Sequence, residues 1–380
     1  MAKLIDITGK ALSGEWGSDD ETGTGIPVLR TTNFTNEGII NYDDVVSRKI
    51  SQKNINEKYL RSGDIIIEKS GGSDKFPVGR VVYFDGPDKT YLFNNFTGVL
   101  RVKDQQMWHP RYVFYSLFSN YRRGGTRAFE NRTTGLHNLK TDDYVSKYEV
   151  AGRDYEEQIT ICEKLDKIYA IIKYREQEIK SLDDLISARF VEMFGDPLDK
   201  KIANMIFADC LEFNPKKSEV KDLQDIQASF VPMECIGTDG SFAIKDKGII
   251  REYYKGYTYF RDGDVLLAKI TPCFENGKVA IAENCENGIG FGTTEFHVLR
   301  PRKDISNSYW IKYLLINERV HELATMNMSG SAGQKRIQTP FFEKLRIYLP
   351  PIELQNQFAD FVRATDKLKL ATSPQTTFAA

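Results

Sequence analysis

The chain has 380 residues, of which 41% are hydrophobic and 28% are charged, and its formal net charge is −1. This length and composition are typical of a soluble globular protein with two or three domains, and the sequence has no apolar run of the roughly 18 residues that a membrane span needs. The near-zero net charge argues against a uniformly basic nucleic-acid binder. It leaves DNA binding open, because binding depends on where the charges lie.

The cysteines, the histidines and the first residues of the chain bear on its cellular compartment. The five cysteines are odd in number and are never spaced as Cys-x-x-Cys, so we expect them to be reduced and mostly to pack in the interior. The four histidines are scattered, which argues against a metal site. The first residues carry charge within their apolar stretch and lack the profile of a signal peptide. We therefore predict a cytoplasmic protein without a bound metal.

Residues 1–153 mix short β-like runs with glycine-marked turns. The runs cover residues 25–29, 63–67 and 78–84. A helix is predicted near residues 111–119, where Tyr112, Tyr115 and Leu117 mix aromatic and aliphatic side chains. The predicted class of this segment is α+β.

A long helix is predicted to follow, from residue 154 to residue 194. From Ile161 onwards, positions step by alternating four and three residues, and eight of the ten positions are apolar: Ile161, Leu165, Ile168, Ile172, Ile179, Leu182, Ile186 and Met193. This seven-residue repeat is typical of a coiled-coil seam. The helix would be about 60 Å long, and its apolar stripe requires a partner.

Two arginines, Arg175 and Arg189, occupy the remaining seam positions. They could pair with acidic residues of a partner helix. The alternative, which we favour, is that they lie at the surface beside acidic residues of their own helix, such as Glu178, Asp183 or Glu192.

The second half of the chain, residues 198–350, repeats the first. The matching pairs of segments are 59–69 with 259–269, 79–81 with 277–279, 99–101 with 298–300, and 112–114 with 309–311. The offset stays between 197 and 200, so the repeated unit is a whole domain, and a solenoid of 20 to 50-residue repeats is excluded.

The long helix has a shorter second copy over residues 351–371. Gln158 aligns with Gln355, and Ile161 aligns with Phe358. We expect the two helices to pair partially and antiparallel, with the rest of the long helix left for another protein. Residues 372–380 are predicted to form a disordered tail.

A search for catalytic motifs gives no candidate for an active site. The nearest string to the Asn-Pro-Pro-aromatic motif of amino-methyltransferases, residues 213–216, fails at two positions, and no phosphate-binding loop sequence occurs. A nuclease role for Asp64, Glu68 and Lys69 is disfavoured, because the spacing is wrong and Ala268 replaces the glutamate in the second copy. The repeated Gly-Asp pairs are better explained by turn and strand packing. We predict that the chain alone is not an enzyme.

In this order and at this spacing, the duplicated motifs resemble the specificity (S) subunits of Type I restriction–modification systems. The motifs are the Gly-Asp strands, the Leu-Pro-Pro-Ile-Glu-Leu-Gln sequence at 349–355 and the Met-Phe-Gly-Asp-Pro sequence at 193–197. The resemblance covers essentially the whole chain. It departs at 151–153, where the pattern prefers a proline pair, and in the second helix, which lacks a distal half.

The resemblance implies two similar α+β target-recognition domains separated by long antiparallel coiled-coil spacer helices. Target-recognition domain 1 would cover residues 1–153, and the central spacer helix would cover residues 154–197. Target-recognition domain 2 would cover residues 198–350, followed by a short second spacer helix at residues 351–371.

The resemblance also implies a non-catalytic subunit that reads a bipartite, asymmetric site in double-stranded DNA. Its helices would dock modification (methyltransferase) subunits, and the complex would include restriction (translocase/nuclease) subunits. S-adenosylmethionine, ATP and Mg would belong to those partners, and this chain would carry no cofactor and contact no membrane.

Two loops in each copy have residue types suited to DNA. Glycines allow a close approach of the backbone, Arg and Lys suit phosphate or guanine, and Asn and Gln suit adenine. The alternative is a solvated glycine loop or an ordinary turn. The candidates are Lys69, Ser70, Gly71, Arg122, Arg123, Arg127, Asn131 and Arg132 in the first copy and Lys269, Thr271, Ser329, Ser331, Gln334, Lys335 and Arg336 in the second.

Two other interpretations remain open. One is a protein-interaction scaffold with duplicated domains that does not bind DNA. The other is a truncated orphan specificity subunit that dimerises through its helices. If the chain binds DNA through Arg127 and Arg132, replacing both by alanine is predicted to weaken DNA binding and to flatten its salt dependence.

Overall fold

The computed structural model describes residues 1–50, 55–73, 76–133, 136–331 and 333–372, without the side chains of residues 132, 133, 136 and 372. The chain forms two compact units, Met1–Ile171 and Ile172–Ala380, called the first and second unit below. Most of the predicted tail, residues 373–380, lies outside the described residues. The finer domain boundaries given above stay a prediction.

The helices of the first unit include one that continues into the second. They are α1 (Leu4–Thr8), α2 (Ile55–Lys58), α3 (Pro110–Arg122), α4 (Thr141–Lys147) and α5 (Tyr155–Phe194). The second unit adds α6 (Ile250–Tyr253), α7 (Ser308–Ile316), α8 (Glu318–Met326), α9 (Thr339–Lys344) and α10 (Ile352–Thr372).

The strands are short, and they follow one another in a corresponding order in the two units. The first unit contains β1 (Ala2–Lys3), β2 (Leu12–Ser13), β3 (Ser18–Asp19), β4 (Ile26–Leu29), β5 (Val46–Lys49), β6 (Ile65–Glu68), β7 (Ser70–Gly71), β8 (Val81–Tyr83), β9 (Leu92–Phe93), β10 (Thr97–Leu100), β11 (Glu130–Thr133), β12 (Leu136–Leu139) and β13 (Glu149–Val150). The second contains β14 (Met205–Ile206), β15 (Leu211–Phe213), β16 (Gln227–Val231), β17 (Asp246–Ile249), β18 (Thr258–Arg261), β19 (Val265–Ala268), β20 (Val279–Ile281), β21 (Ile289–Gly292), β22 (Phe296–Pro301) and β23 (Arg346–Ile347).

Both units build the same framework of mixed sheet and helix. In the first unit the antiparallel sheet has the order β2-β10-β6-β8, and in the second the order is β15-β22-β19-β20. A second sheet in each unit contains one parallel pair, β4 with β9 and β16 with β21. Helix α3 packs on β8, and α7 packs on β20. The predicted duplication of an α+β domain is thus confirmed at the level of topology.

The repeated Gly-Asp motif has the same structural role in each unit. The glycine before each aspartate has a φ of +94° or +87°, a conformation that favours glycine. Asp64 is 1% exposed, and its carboxylate accepts hydrogen bonds from Arg101 Nε and Nη2 at 2.7 and 2.6 Å. Asp264 is equally buried and accepts from Arg300 at 2.8 and 2.9 Å. These buried bidentate pairs fix the turn before β6 and β19, and they explain the motif without catalysis.

The aligned glutamines join each unit to the helix that follows it. The side-chain oxygen of Gln158 accepts from the backbone nitrogen of His109 at 2.8 Å, and its amide donates to two backbone carbonyls at 2.9 and 3.0 Å. Gln355 accepts from the backbone nitrogen of Asn307 at 2.9 Å and donates to two carbonyls at 3.0 and 2.8 Å. Each glutamine is almost completely buried. The first turns of α5 and α10 are therefore held to their units in the same way.

The long helix predicted over residues 154–194 is confirmed as α5, which ends before Gly195, a residue with a φ of +67°. Within the second unit, its last turns pack antiparallel on α10. The ring of Phe358 lies 5.4 and 5.5 Å from those of Phe190 and Phe194, and Lys369 is 2.5 Å from Asp183. The pairing that was expected from the second copy of the helix is thus present over this part of α5.

Candidate DNA interface

The two candidate loops of each copy, although about 60 residues apart in sequence, come together within their unit. In the first unit, β7 pairs with β12, and β12 pairs with β11 to form a three-stranded sheet. In the second unit the same arrangement is reduced to two bridges, which join Arg336 to Ser329 and to Ile270. Thr271 adds two hydrogen bonds, from its backbone nitrogen and its hydroxyl, to the carbonyl of Lys335 at 2.9 and 3.0 Å.

The arginines of the first unit form a basic surface. Arg122, Arg123 and Arg127 are exposed and line a cavity of about 420 Å³ together with Asn36, Phe76, Pro77, Tyr121 and Gly124. Arg122 donates to the backbone carbonyl of Asn36 at 3.3 Å. Among the described residues that line this cavity, none is acidic. The surface can therefore accept phosphate or a guanine edge.

Of the other candidates of the first unit, Ser70 and Gly71 form β7, Lys69 precedes it, and Asn131 and Arg132 lie in β11. Asn131 is exposed, whereas Lys69, Ser70 and Gly71 are half-buried. The side chain of Arg132 lies outside the described residues.

A buried carboxylate lies beneath the first unit's loops. Glu68 is 3% exposed, and burial raises its pKa, although Arg80 at 3.4 Å opposes that shift. Arg80 also donates to the backbone carbonyls of Phe34 and Thr31 at 2.9 and 3.0 Å. Gly71 has a φ of +147°, and a Cβ there would lie 2.4 Å from Glu68 Oε1. The candidate Gly71 is thus required by this packing, and Glu68 faces the interior of the unit.

The loop of the second unit is less basic. Ser329, Ser331, Gln334 and Lys335 are exposed, while Lys269, Thr271 and Arg336 are half-buried. Arg336 forms a bidentate ion pair with Glu295, in which Nε and Nη2 donate to the carboxylate at 3.0 Å each. This pair raises the pKa of Arg336 and lowers that of Glu295. One of the seven candidates of the second unit, Arg336, is therefore already paired with an acid.

A polar cleft adjoins the loop of the second unit. It has a volume of about 480 Å³, and Lys269, Glu295 and Arg336 lie at its edge with His297. His297 is 4% exposed and its Nε2 lies 2.9 Å from the carbonyl of Ile337. Burial lowers the pKa of His297, so the neutral imidazole is favoured at this position.

The sequence did not single out Glu295 or Asn138. Asn138 occupies β12 opposite two candidates, Asn131 and Ser70. The repeat offset could have identified it, because residues 139–141 align with residues 337–339. No local signal marks Glu295, since its partner Arg336 is 41 residues away.

The seam positions of α5 lie in three different environments. Ile161 and Leu165 pack against the core of the first unit. Ile186 and Met193 pack in the core of the second unit, and Ile179 and Leu182 are half-buried. Ile168 and Ile172 are 51% and 36% exposed.

Both seam arginines pair with an acidic residue of their own helix, as favoured from the sequence. Arg175 lies 2.7 Å from Glu178, and Arg189 lies 2.7 Å from Glu192. Arg189 also lies over the ring of Phe361, 5.9 Å from its centroid.

The described residues also bear on metal binding and on membrane insertion. In the described ranges, no group of three His, Cys, Asp or Glu side chains is placed to hold a metal ion. Among these residues, no helix is both long and apolar enough to cross a bilayer.

Two copies of one α+β framework, each followed by a helix and each with converging polar loops, define a protein with a duplicated α+β domain. The model of the "Type I restriction modification DNA specificity domain" family matches residues 2–183 and 209–376, so the chain belongs to this family. The resemblance recognised in the sequence is confirmed.

Two curated relatives from Escherichia coli match part of the chain. It is 45% identical over 164 residues to the Type I restriction enzyme EcoAI specificity subunit, covering 42% of this chain and 26% of that protein. It is 48% identical over 145 residues to the EcoEI specificity subunit, covering 36% and 23%. The chain thus matches about a quarter of the length of these relatives.

Solved structures share the fold at low sequence identity. A Type I restriction–modification S subunit from M. genitalium is 14% identical, with a TM-score of 0.51 and coverage of 98% of this chain and 90% of that chain. A chain from a study of complex assembly and conformational transition of the Type I restriction–modification system is 15% identical, with a TM-score of 0.50 and coverage of 98% and 93%.

Proposed function

We propose that this chain is the specificity subunit of a Type I restriction–modification complex, in which each unit reads one half of a bipartite, asymmetric DNA site. The convergence of two polar loops in each unit is the observation that carries the proposal. The framework around these loops is duplicated, but the loops differ: one copy has three exposed arginines, and the other has serines, glutamine and lysine. Units with one framework and different loops are expected to read different sequences.

We further propose that the helices dock modification subunits. Ile168, Ile171 and Ile172 of α5 are 51%, 58% and 36% exposed, and residues three and four apart lie on one face of a helix. On α10, Leu368 and Leu370 are 57% and 75% exposed. The three exposed isoleucines of α5 form contiguous apolar surface on one side of the helix, which favours a protein partner over water.

Catalysis is assigned to the partners. The acids that the sequence raised as nuclease candidates, Asp64 and Glu68, are 1% and 3% exposed and pair with Arg101 and Arg80. In this proposal, S-adenosylmethionine is bound by the modification subunits, and ATP and Mg by the restriction subunits. The chain contributes recognition and spacing.

Methylome mapping tests the proposed function directly. The chain is expressed with its neighbouring modification genes, and modified sites are mapped in genomic DNA. We expect one asymmetric motif made of two parts with an unspecified gap. A palindromic motif, or no chain-dependent motif, would contradict the proposal. A gel shift with random duplex DNA separates DNA binding from a protein scaffold, which would give no shift.

Salt-dependent binding tests the arginine surface. Replacing Arg122, Arg123 and Arg127 by alanine is expected to weaken binding to all duplexes and to lower the slope of log K against log salt by about 0.9 for each lost phosphate contact. Arg363→Ala is the matched control, because Arg363 pairs with Asp360 on α10 at 2.6 Å. Equal slopes for the wild type, the triple variant and the control would remove the arginines from the interface. The double replacement of Arg127 and Arg132 is tested in the same way.

A further inference from the structure

Asn138 in the first unit and Arg336 in the second unit occupy equivalent positions. The residue after each one donates its backbone N–H to the carbonyl of the loop lysine, Lys69 or Lys269, at 2.9 Å in both units. These bonds tie the two candidate loops together. The backbone frame is therefore conserved between the units at this point, while the side chain presented by the frame is different.

The equivalence extends to the residues opposite. Asn138 pairs across the ladder with Asn131, and Arg336 pairs with Ser329. Directly opposite residues of antiparallel strands project from the same face. Asn131 and Ser329 are both exposed, so this face is turned towards solvent in each unit.

A third position also differs between the units. Lys69 donates its backbone N–H to the carbonyl of Phe96 at 2.8 Å, and Lys269 donates to the carbonyl of Glu295 at 2.9 Å. Phe96 and Glu295 are thus equivalent. In the second unit this position is Glu295, whose carboxylate forms the ion pair with Arg336. In the first unit it supplies an aromatic ring that is 52% exposed.

Two of the N–H groups of the Arg336 guanidinium have no acceptor among the described contacts. Nε and Nη2 donate to Glu295, and Nη1 donates to the backbone carbonyl of Gln334 at 3.2 Å. A guanidinium has five N–H groups, so among the described contacts one N–H on Nη1 and one on Nη2 remain. The outer edge of a guanidinium, formed by one N–H of each Nη, matches O6 and N7 of guanine, the commonest specific arginine contact. Because the carboxylate of Glu295 already orients the guanidinium of Arg336, less side-chain entropy is lost when the arginine binds a base.

We propose that Arg336 selects a guanine in the half-site read by the second unit, and that Glu295 is the residue that positions it. The inference rests on the proposed function and names a specificity-determining pair within it. The first unit carries Asn138 at the same position, and an amide suits adenine rather than guanine. The side chain at this position therefore differs between the two units, while the backbone bonds around it are the same.

Competition binding with the assembled complex tests the pair. The full chain and its modification subunits bind a labelled duplex with the wild-type motif, and unlabelled duplexes carry every single base change. The wild type is expected to prefer guanine at one position of one half-site by about 5- to 150-fold. Arg336→Lys keeps the charge but loses the fork, so this preference is expected to fall below about threefold. Glu295→Gln is expected to weaken the preference at the same position only.

Lys335→Gln provides the matched control, since Lys335 is exposed on the same loop. It is expected to weaken binding to all duplexes alike, as a phosphate contact does. If the wild-type complex prefers no duplex, the proposed function itself fails. If the wild type is specific but Arg336→Lys and Glu295→Gln leave every base preference unchanged, or reduce all of them equally, the inference is overturned.

Discussion

The buried glutamine at the start of α5 offers a quantitative test of how a unit holds its helix. In Gln158→Leu, a side chain of similar size removes three hydrogen bonds: one from the backbone N–H of His109 and two to backbone carbonyls. An unsatisfied buried polar group costs about 1–3 kcal/mol. The His109 amide loses its described partner, while the carbonyls keep partial access to water. We therefore expect a loss of about 2–4 kcal/mol from a domain stability of about 5–15 kcal/mol.

Urea unfolding, followed by circular dichroism, measures this loss. With a slope of about 2 kcal/mol per M, the midpoint of the first unit is expected to fall by about 1–2 M. The amide of His109 is expected to exchange faster with deuterium. Glu157→Gln is the control, because Glu157 and Arg153 form an exposed pair at 3.3 Å that is worth about 0–1 kcal/mol. A midpoint for Gln158→Leu that matches the control, with unchanged exchange, would refute the reasoning.

Three further predictions concern the second unit. Phe358→Ala empties a site packed against Phe190 and is expected to cost about 3–5 kcal/mol in the free energy of unfolding, measured with urea. Asp264→Ala removes the buried carboxylate to which Arg300 donates, while Arg300 keeps its pair with Glu219, so it is expected to cost about 1–3 kcal/mol by the same measurement. Burial lowers the pKa of His297 below its unfolded value, so the stability it contributes is present above the unfolded pKa of about 6.5 and is lost as the pH falls through the folded pKa. His297→Gln is therefore expected to lose less stability than the wild type between pH 7.5 and pH 5.5.

Each of these predictions has a control or a contrary outcome. Leu368→Ala changes an exposed residue of α10, and Asp225→Ala breaks an exposed pair with Arg251, so each is expected to change stability by less than about 1 kcal/mol. A loss for Phe358→Ala or Asp264→Ala no larger than its control would contradict the packing argument. Parallel stability curves for His297→Gln and the wild type would exclude His297 from the acid dependence.

Features carried by local spacing were predicted well. The seven-residue repeat identified α5, and the helix predicted near residues 111–119 is α3. The duplicated Gly-Asp motif predicted a duplicated domain, and the aligned Gln158 and Gln355 make the same three hydrogen bonds in each unit. Such features depend on residues close in sequence or on a copied segment, so the chain itself reveals them.

Features carried by long-range contacts were beyond the sequence. The two candidate loops were chosen separately, and only the folded structure joins them in each unit, through bonds such as those to the backbone carbonyls of Lys69 and Lys269. The seam was predicted as one interface, yet the fold divides it: Ile161 packs on the first unit and Ile186 packs in the second, while Ile168 stays exposed. A helical repeat states which residues share a face, but the neighbouring elements decide what covers that face.

The sequence by itself determined the duplicated architecture, the long helix and the residue types of the loops, because periodicity and repetition are written in the order of residues. Only the tertiary structure decided the partners of charged groups that are distant in the chain. In the sequence, Arg336 is one of several basic residues. In the fold, its guanidinium pairs with Glu295, which is 41 positions away in the chain. The function of a guanidinium depends on which of its N–H groups remain available, and that is settled by contacts between segments distant in the chain.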